Sequence, residues 1–315
     1  MGWIVVTPAH NEAERLPGLA ATLMAQTADL VSLWVVVDDG STDGTGDCLP
    51  EPLPFPVHVL RRDNEGGLAH ASEFAAFVFG ADAGLELCPD ATRVMKLDAD
   101  VRLAPDYLAA LADVTDEVGL VAGRIDEAEE PARADHTRGA LKCYSREAYA
   151  IVRRLPRGLG WDVLDEVAVR SAGLRVEVWH RARSTVARHT GTSEGGLLSG
   201  RGRAGVVSRW TGYHPIYFAL RLARYSLKRP VLVGSVAMAW AYASSGRGPF
   251  EAELRAAHRV EQKARLRRML TGRSRPPTAD RTRASAPPPS PTRSDADPGV
   301  LAASVAAERR ADLPA

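Results

Sequence analysis

The stretch Leu33-Trp34-Val35-Val36-Val37-Asp38-Asp39-Gly40-Ser41-Thr42-Asp43-Gly44 decides the fold. Five apolar residues in a row, three of them Val, suit a strand covered on both faces. The abrupt switch to Asp, Gly, Ser and Thr marks a turn at its carboxyl end. The same switch recurs three times. Trp3–Thr7 runs into Pro8-Ala9-His10-Asn11-Glu12, Val57–Leu60 leads to Asn64-Glu65-Gly66-Gly67, and Arg93–Leu97 runs into Asp98-Ala99-Asp100, with Gly119–Ala122 as a fifth strand. Helix-period segments lie between them: Arg15–Met24 with Leu16, Leu19 and Leu23 on one face, His70–Gly80, and one opened by Pro105. Strands alternating with crossover helices specify an α/β fold, a mostly parallel (mixed) sheet flanked by helices. Ligands bind such sheets beyond the carboxyl ends of the strands, where the four polar clusters fall.

Asp98 and Asp100, one residue apart after an apolar strand, can both face a hard cation that also contacts diphosphate oxygens; Mg²⁺ and Mn²⁺ suit that arrangement. Taken together, Val6-Thr7-Pro8-Ala9-His10-Asn11-Glu12, Val37-Asp38-Asp39-Gly40-Ser41-Thr42-Asp43-Gly44-Thr45 and Lys96-Leu97-Asp98-Ala99-Asp100 resemble, in order and separation, the family 2 glycosyltransferases of the GT-A fold. The resemblance implies that Pro8, His10, Asn11, Glu12, Asp38 and Asp39 hold the nucleobase and ribose of a nucleoside-diphosphate sugar. It sets Lys96 and Asp98 beside the nucleotide, Asp98 and Asp100 on a divalent cation, and Asn64 and Gly66 next to the donor. His189 is its candidate for a further metal ligand, and Arg201 and Arg203, in a Gly-rich loop, are candidates to clamp diphosphate or an anionic acceptor.

Gly160-Trp161-Asp162-Val163-Leu164-Asp165-Glu166, before a helix closing at Gly173, resembles the family's acidic acceptor motif. That motif commonly has adjacent Glu-Asp; here Trp161 precedes Asp162, and an acidic pair follows as Asp165-Glu166. Asp162 is the first candidate for the base that deprotonates an acceptor hydroxyl, Asp165 with Glu166 the second, and Asp165 also reads as a helix cap. The implied activity is inverting, metal-dependent transfer of a sugar from a UDP-sugar to an acceptor hydroxyl on a glycan or lipid-linked carrier, in cell-envelope glycan or glycolipid synthesis. Two other readings compete. A sugar-phosphate nucleotidyltransferase would carry a Gly-rich phosphate loop where His10-Asn11-Glu12 stands. A catalytically silent nucleotide-sugar or membrane-binding assembly protein would have no need of Asp98, Asp100 and Asp162.

The 315 residues, 45% hydrophobic and 25% charged, exclude collagen-like, wholly disordered and polytopic membrane classes. No Walker loop points to a P-loop ATPase, no module suggests nucleic acid, and Cys48, Cys88 and Cys143 lack paired spacing and read as reduced packing residues. The net charge of +1 hides an asymmetry: residues 1–199 carry 19 Lys and Arg against 31 Asp and Glu, while residues 200–275 carry 16 against 3. The expected organisation is a catalytic domain over 1–199, a basic, partly apolar helical extension over 200–270 on the acceptor or membrane side, and a disordered tail over 271–315. Val231–Ala243 is an apolar run of 13, short of a bilayer span. Cationic flanks around it suit an anionic membrane surface, and the absence of a signal-peptide pattern suits a cytoplasmic protein, peripheral at the inner face of the plasma membrane.

Overall fold

In the computed structural model, residues 2–64, 66, 71–126, 136–187, 196–227 and 232–271 are described. Eight strands form one mixed sheet: β1 (Trp3–Ala9), β2 (Val31–Asp39), β3 (Val57–Arg62), β4 (Arg93–Leu97), β5 (Val101–Leu103), β6 (Val118–Asp126), β7 (Leu141–Ser145) and β8 (Arg175–Val186). Their spatial order is β3-β2-β1-β4-β7-β6-β8-β5. The first four in that order are parallel; β7 is antiparallel to both β4 and β6, and β6 and β8 run parallel. The carboxyl ends of β1 to β4 therefore share one edge of the sheet, as expected from the four polar clusters. The reversal at β7 brings Leu141, its first residue, beside Leu97 at the end of β4.

Helices α1 (Leu16–Met24) and α3 (Tyr107–Leu111) cover one face. The other carries α2 (Ser72–Leu87), α4 (Arg146–Val152) and α5 (Trp161–Ser171). Strands β1 and β2 are buried on both faces, with Val5, Val35, Val36 and Val37 wholly inaccessible, which explains their unbroken apolar runs, whereas the edge strand β3 is only partly buried. Four more helices follow: α6 (Gly196–Trp210), α7 (Pro215–Ser226), α8 (Val233–Ser244) and α9 (Ala252–Thr271).

Some expectations change here. The Gly-rich stretch around Arg201 and Arg203 is not a loop but the middle of α6, because a bare Gly205 lets that helix press against the backbone of α8 at Met238. Asp165 does not cap α5: the helix starts at Trp161 after Gly160 in left-handed geometry, so Asp165 falls in its second turn. β7 and β8 were not anticipated. His189 lies outside the described residues, as does the expected tail apart from Thr271, which ends α9.

Helix α2 is seated on β1 and β2 through glycine. A methyl carbon on Gly80 would sit 2.5 Å from Val37 Cγ2 and 2.8 Å from Val6 Cγ1. Gly80→Val is therefore expected to cost about 1–3 kcal/mol of stability by overpacking, measured by urea unfolding. An unchanged midpoint would mean that α2 rides higher on the sheet than described.

Candidate active site

The ends of β1 and β2 are stitched into one polar rim. Asn11, at φ +54°, accepts the Thr42 N–H on its side-chain carbonyl at 2.9 Å and gives its own N–H to Ser41 Oγ at 3.0 Å. The Glu12 N–H donates to Thr45 Oγ1 at 2.8 Å, and His10 Nδ1 lies 2.7 Å from the Asp39 carbonyl. Asp38 Oδ1 accepts the Ser41 N–H at 2.9 Å, which closes the turn. Pro8 is buried in β1, and the Glu12 carboxylate takes the Arg15 guanidinium at 3.0 Å.

Asp39 is almost wholly buried. Its Oδ2 accepts from Ser72 Oγ at 2.6 Å and Asn64 Nδ2 at 3.1 Å, and Oδ1 lies 3.4 Å from Arg62 Nε. It thus joins the ends of β2 and β3 to the start of α2. Gly40 must lack a side chain, since a Cβ there would meet the Asn64 backbone nitrogen at 2.9 Å. A cavity of about 330 Å³ opens beside this rim, lined by Asp38, Ser41, Thr42, Asp47, Arg61 and Arg62.

At the end of β4, Lys96 is wholly buried, ion-paired with Asp98 and with Glu73 of α2, and donates to the Gly139 carbonyl at 2.8 Å. Burial alone would lower its pKa, but the two carboxylates more than offset that and raise it. Burial pushes the Asp98 carboxyl up to about 7 against the pull of Lys96, with Glu73 and Asp100 adding to the push. Still, 26% of the Asp98 side chain remains accessible. The Asp100 carbonyl accepts the Ala187 N–H at 2.9 Å, so the end of β8 passes this loop two residues before His189. Among the described residues no group of three or more His, Cys, Asp or Glu is arranged to hold a metal ion. Two carboxylates of this spacing fit a hard cation that takes its remaining oxygens from substrate phosphates and water, as Mg²⁺-type ions usually do.

Across the sheet from Lys96, in register on β7, stands Lys142, also wholly buried. Its ammonium donates to Asp165 Oδ1 and Oδ2 at 2.8 and 2.7 Å and to the Asp162 carbonyl at 2.6 Å. Tyr144 Oη adds a 2.6 Å bond to Asp165. Burial raises the Asp165 pKa, opposed by Lys142. The ring of Trp161 lies 5.7 and 5.8 Å from the two ammonium groups and stacks on Phe74, so a π-face occupies the position where the family motif commonly has Glu.

Glu166 is buried as well. It accepts from Thr137 N and Oγ1 at 2.7 and 2.6 Å and pairs with His136 and Arg170. Burial would raise its carboxyl, but His136, Lys142 and Arg170 hold it well below the usual carboxylate range. Asp162 alone of the three acids reaches the surface. It is half-buried in the first turn of α5, beside a bare Gly139 whose Cβ would come 3.0 Å from Asp162 Oδ2.

Pro8, His10, Asn11, Glu12, Asp38, Asp39, Asn64, Gly66, Lys96, Asp98, Asp100 and Asp162 thus lie along one edge of the sheet. Arg201 and Arg203 are held within α6: the Arg201 guanidinium lies 4.1 Å from the Tyr225 ring centroid, and Arg203 donates to Ser199 Oγ at 3.0 Å. Lys142 and Glu73 belong to the site and were not singled out in the sequence. The matching signal was weak: a lysine at the second position of a short apolar strand.

A sequence profile described as Glycosyl transferase family 2 matches residues 4–175. Polyprenol monophosphomannose synthase of Mycolicibacterium smegmatis is 36% identical over 116 residues, 36% of this chain and 40% of that protein. Undecaprenyl-phosphate mannosyltransferase of Micrococcus luteus is 32% identical over 125 residues, 38% of this chain and 46% of that protein. The matches therefore span less than half the length of either relative. Among solved structures, mannosyltransferase PcManGT from Pyrobaculum calidifontis, in complex with GDP-Man and Mn²⁺, aligns over 84% of this chain and 80% of its own, with 19% identity and a TM-score of 0.47.

Removing Lys142 leaves a buried carboxylate uncompensated. Lys142→Met is expected to destabilise by about 3–5 kcal/mol, and Lys142→Met/Asp165→Leu by much less, by denaturant unfolding. Additive losses in the double variant would contradict the pairing.

Proposed function

The chain belongs to glycosyl transferase family 2, and from that premise we propose that it moves a sugar from a nucleoside-diphosphate donor to the phosphate of a polyprenyl-type lipid. One observation carries the choice of acceptor: the M. smegmatis and M. luteus relatives, and a third that is 31% identical over 127 residues, are all named for polyprenol or undecaprenyl phosphate chemistry. Two of the three are named for mannose, so a GDP-linked donor stands beside the UDP-sugar expected from the motifs.

In this reading the rim of Asn11, Glu12, Asp38 and the turn after it holds the nucleoside. Asp98 and Asp100 hold a divalent cation on the diphosphate, and when bound that ion supplies positive charge to the departing nucleoside diphosphate. Lys96 sits behind Asp98, sets its orientation, and neutralises part of the charge that Glu73 and Asp98 bring together. The protein works at the cytoplasmic face of the membrane, where its lipid acceptor is. No helix among the described residues is long and apolar enough to cross a bilayer.

The acceptor class fixes what Asp162 does. A phosphate monoester has its second pKa near 6, so at neutral pH its attacking oxygen is already ionised and needs no base. A hydroxyl acceptor would need one, and the half-buried position of Asp162, the one of the three acids that reaches the surface, supports that second reading. With purified lipid phosphate and matched UDP- and GDP-sugars, Asp162→Asn is expected to retain kcat within about tenfold, whereas a drop of about 10²–10⁴ would contradict the reading that the acceptor oxygen needs no base. Asp98→Asn and Asp100→Asn should each abolish Mn²⁺-dependent donor binding in calorimetry, Asp100→Asn without lowering Tm and Asp98→Asn with a lower Tm, because it removes one of the two carboxylates paired with the buried Lys96. Undiminished binding in both would remove the metal assignment.

A further inference from the structure

Residues 195–250 hold eight Lys and Arg and no Asp or Glu. Within them, the hairpin formed by α7 and α8 carries a concentration of exposed apolar side chains. Of fourteen large exposed hydrophobic residues among those described, seven lie between 216 and 240: Ile216, Leu220, Leu227, Leu232, Val233, Val236 and Trp240. They are not scattered. On α7, positions 216 and 220 repeat at helical spacing with Arg224, and Leu227 follows at its end; on α8, Val233, Val236, Trp240 and Ala243 form one stripe, and Arg247 follows three residues past the helix. The opposite sides of both helices are occupied, with Phe218 stacked on Tyr242 at 4.1 Å and Gly205 against Met238. The stripes are therefore surplus to packing, and 74% exposure of a Trp in one of them is costly in water.

Arg247, just beyond the stripe, belongs to a group of unmatched cations. Among the described residues Arg209, Arg247, Arg255 and Arg259 enter no ion pair, and Arg209 Nε, Arg255 Nε, Trp210 Nε1 and His214 Nδ1 are buried without a hydrogen-bond partner. Burial, then the like charges of Arg259, Arg209 and Arg247, lowers the Arg255 pKa. The guanidinium groups without ion pairs at this junction, those of Arg247 and Arg259 exposed, suit phosphate oxygens.

We propose that the α7–α8 hairpin lies flat on an anionic lipid bilayer, its apolar stripe at the acyl boundary and the arginine group at the end of α8 on lipid phosphates. This deepens the lipid-acceptor reading above but rests on separate residues. A 12-residue helix is about 18 Å long and cannot span, while a Trp at the water–lipid boundary is well matched to its surroundings. A second copy of the chain is the poorer occupant, because it would bring the same positive surface to the contact.

Co-sedimentation of the full chain with phosphatidylglycerol vesicles tests this. The unaltered chain should bind them, with affinity falling as salt rises, and should not bind phosphatidylcholine. Val236→Ser/Trp240→Ser should lower the partition coefficient at least about tenfold, and Arg247→Gln/Arg259→Gln should reduce the preference for anionic lipid. Nucleotide-sugar affinity by calorimetry should be unchanged in both, since neither pair touches the donor rim. Absent binding to phosphatidylglycerol, or equal binding by the Val236→Ser/Trp240→Ser variant, overturns the proposal even where donor binding is intact. Loss of donor binding with vesicle binding retained instead counts against the catalytic reading alone. A dimer in sedimentation equilibrium that dissociates in Val236→Ser/Trp240→Ser would assign the face to a second copy and overturn the proposal as well.

Discussion

Two lysine ammonium groups, Lys96 and Lys142, face each other across β4 and β7 with no access to water, and each is neutralised by carboxylates from a different part of the chain. Burying an ion costs several kcal/mol unless charge and hydrogen bonds are returned in full, so these groups dictate what may surround them. Lys96 gathers Glu73 from α2, Asp98 from the strand end and the carbonyl of Gly139. Lys142 gathers Asp165 and the first turn of α5. Trp161 lies near both ammonium groups. The core of the site is thus a charge network, and the partly buried carboxylates Asp98 and Asp162 are held by its outer edge.

The mixed sheet makes this possible. Parallel strands β1 to β4 deliver their loops to one edge, which builds the polar rim. The antiparallel β7 then enters from that edge, so that Lys142 stands opposite Lys96 and α5 follows with its first turn on the same side. The carboxylates after β4 and those of α5 are fixed relative to each other by the backbone pairing of β4 with β7. Arg170 extends the arrangement, pairing bidentately with Glu261 of α9 at 2.8 Å while also reaching Glu166.

The parallel half was legible in the sequence because strands buried on both faces leave unbroken runs such as Leu33–Val37, and the polar clusters after them fall at strand ends by necessity. The antiparallel half was not. Leu141–Ser145 has a lysine at its second position, which reads as a solvated edge until Asp165, 23 residues on, is known to lie against it. Asp165 itself reads as a helix cap or a base, since nothing local in the sequence reveals that its carboxylate faces inward. The Gly200–Gly205 stretch reads as a loop because glycine destabilises isolated helices; packing of Gly205 against α8 reverses that preference. The basic segment over 200–275 and the apolar run Val231–Ala243 were visible in the sequence, whereas the shared exposed side of α7 and α8 emerged only from their packing.

The central claim is that the edge formed by β1, β2 and β4 is a nucleotide-sugar site completed by a divalent cation. Thermal unfolding of the unaltered chain with UDP, GDP and their sugar conjugates, each with and without Mn²⁺, tests it most directly, because a ligand that binds only the native state raises Tm progressively with the ratio of its free concentration to its Kd. The account predicts a concentration-dependent rise with at least one nucleotide sugar that largely disappears when Mn²⁺ is withheld. No rise with any of them, or a rise of equal size in the absence of the metal, would contradict it.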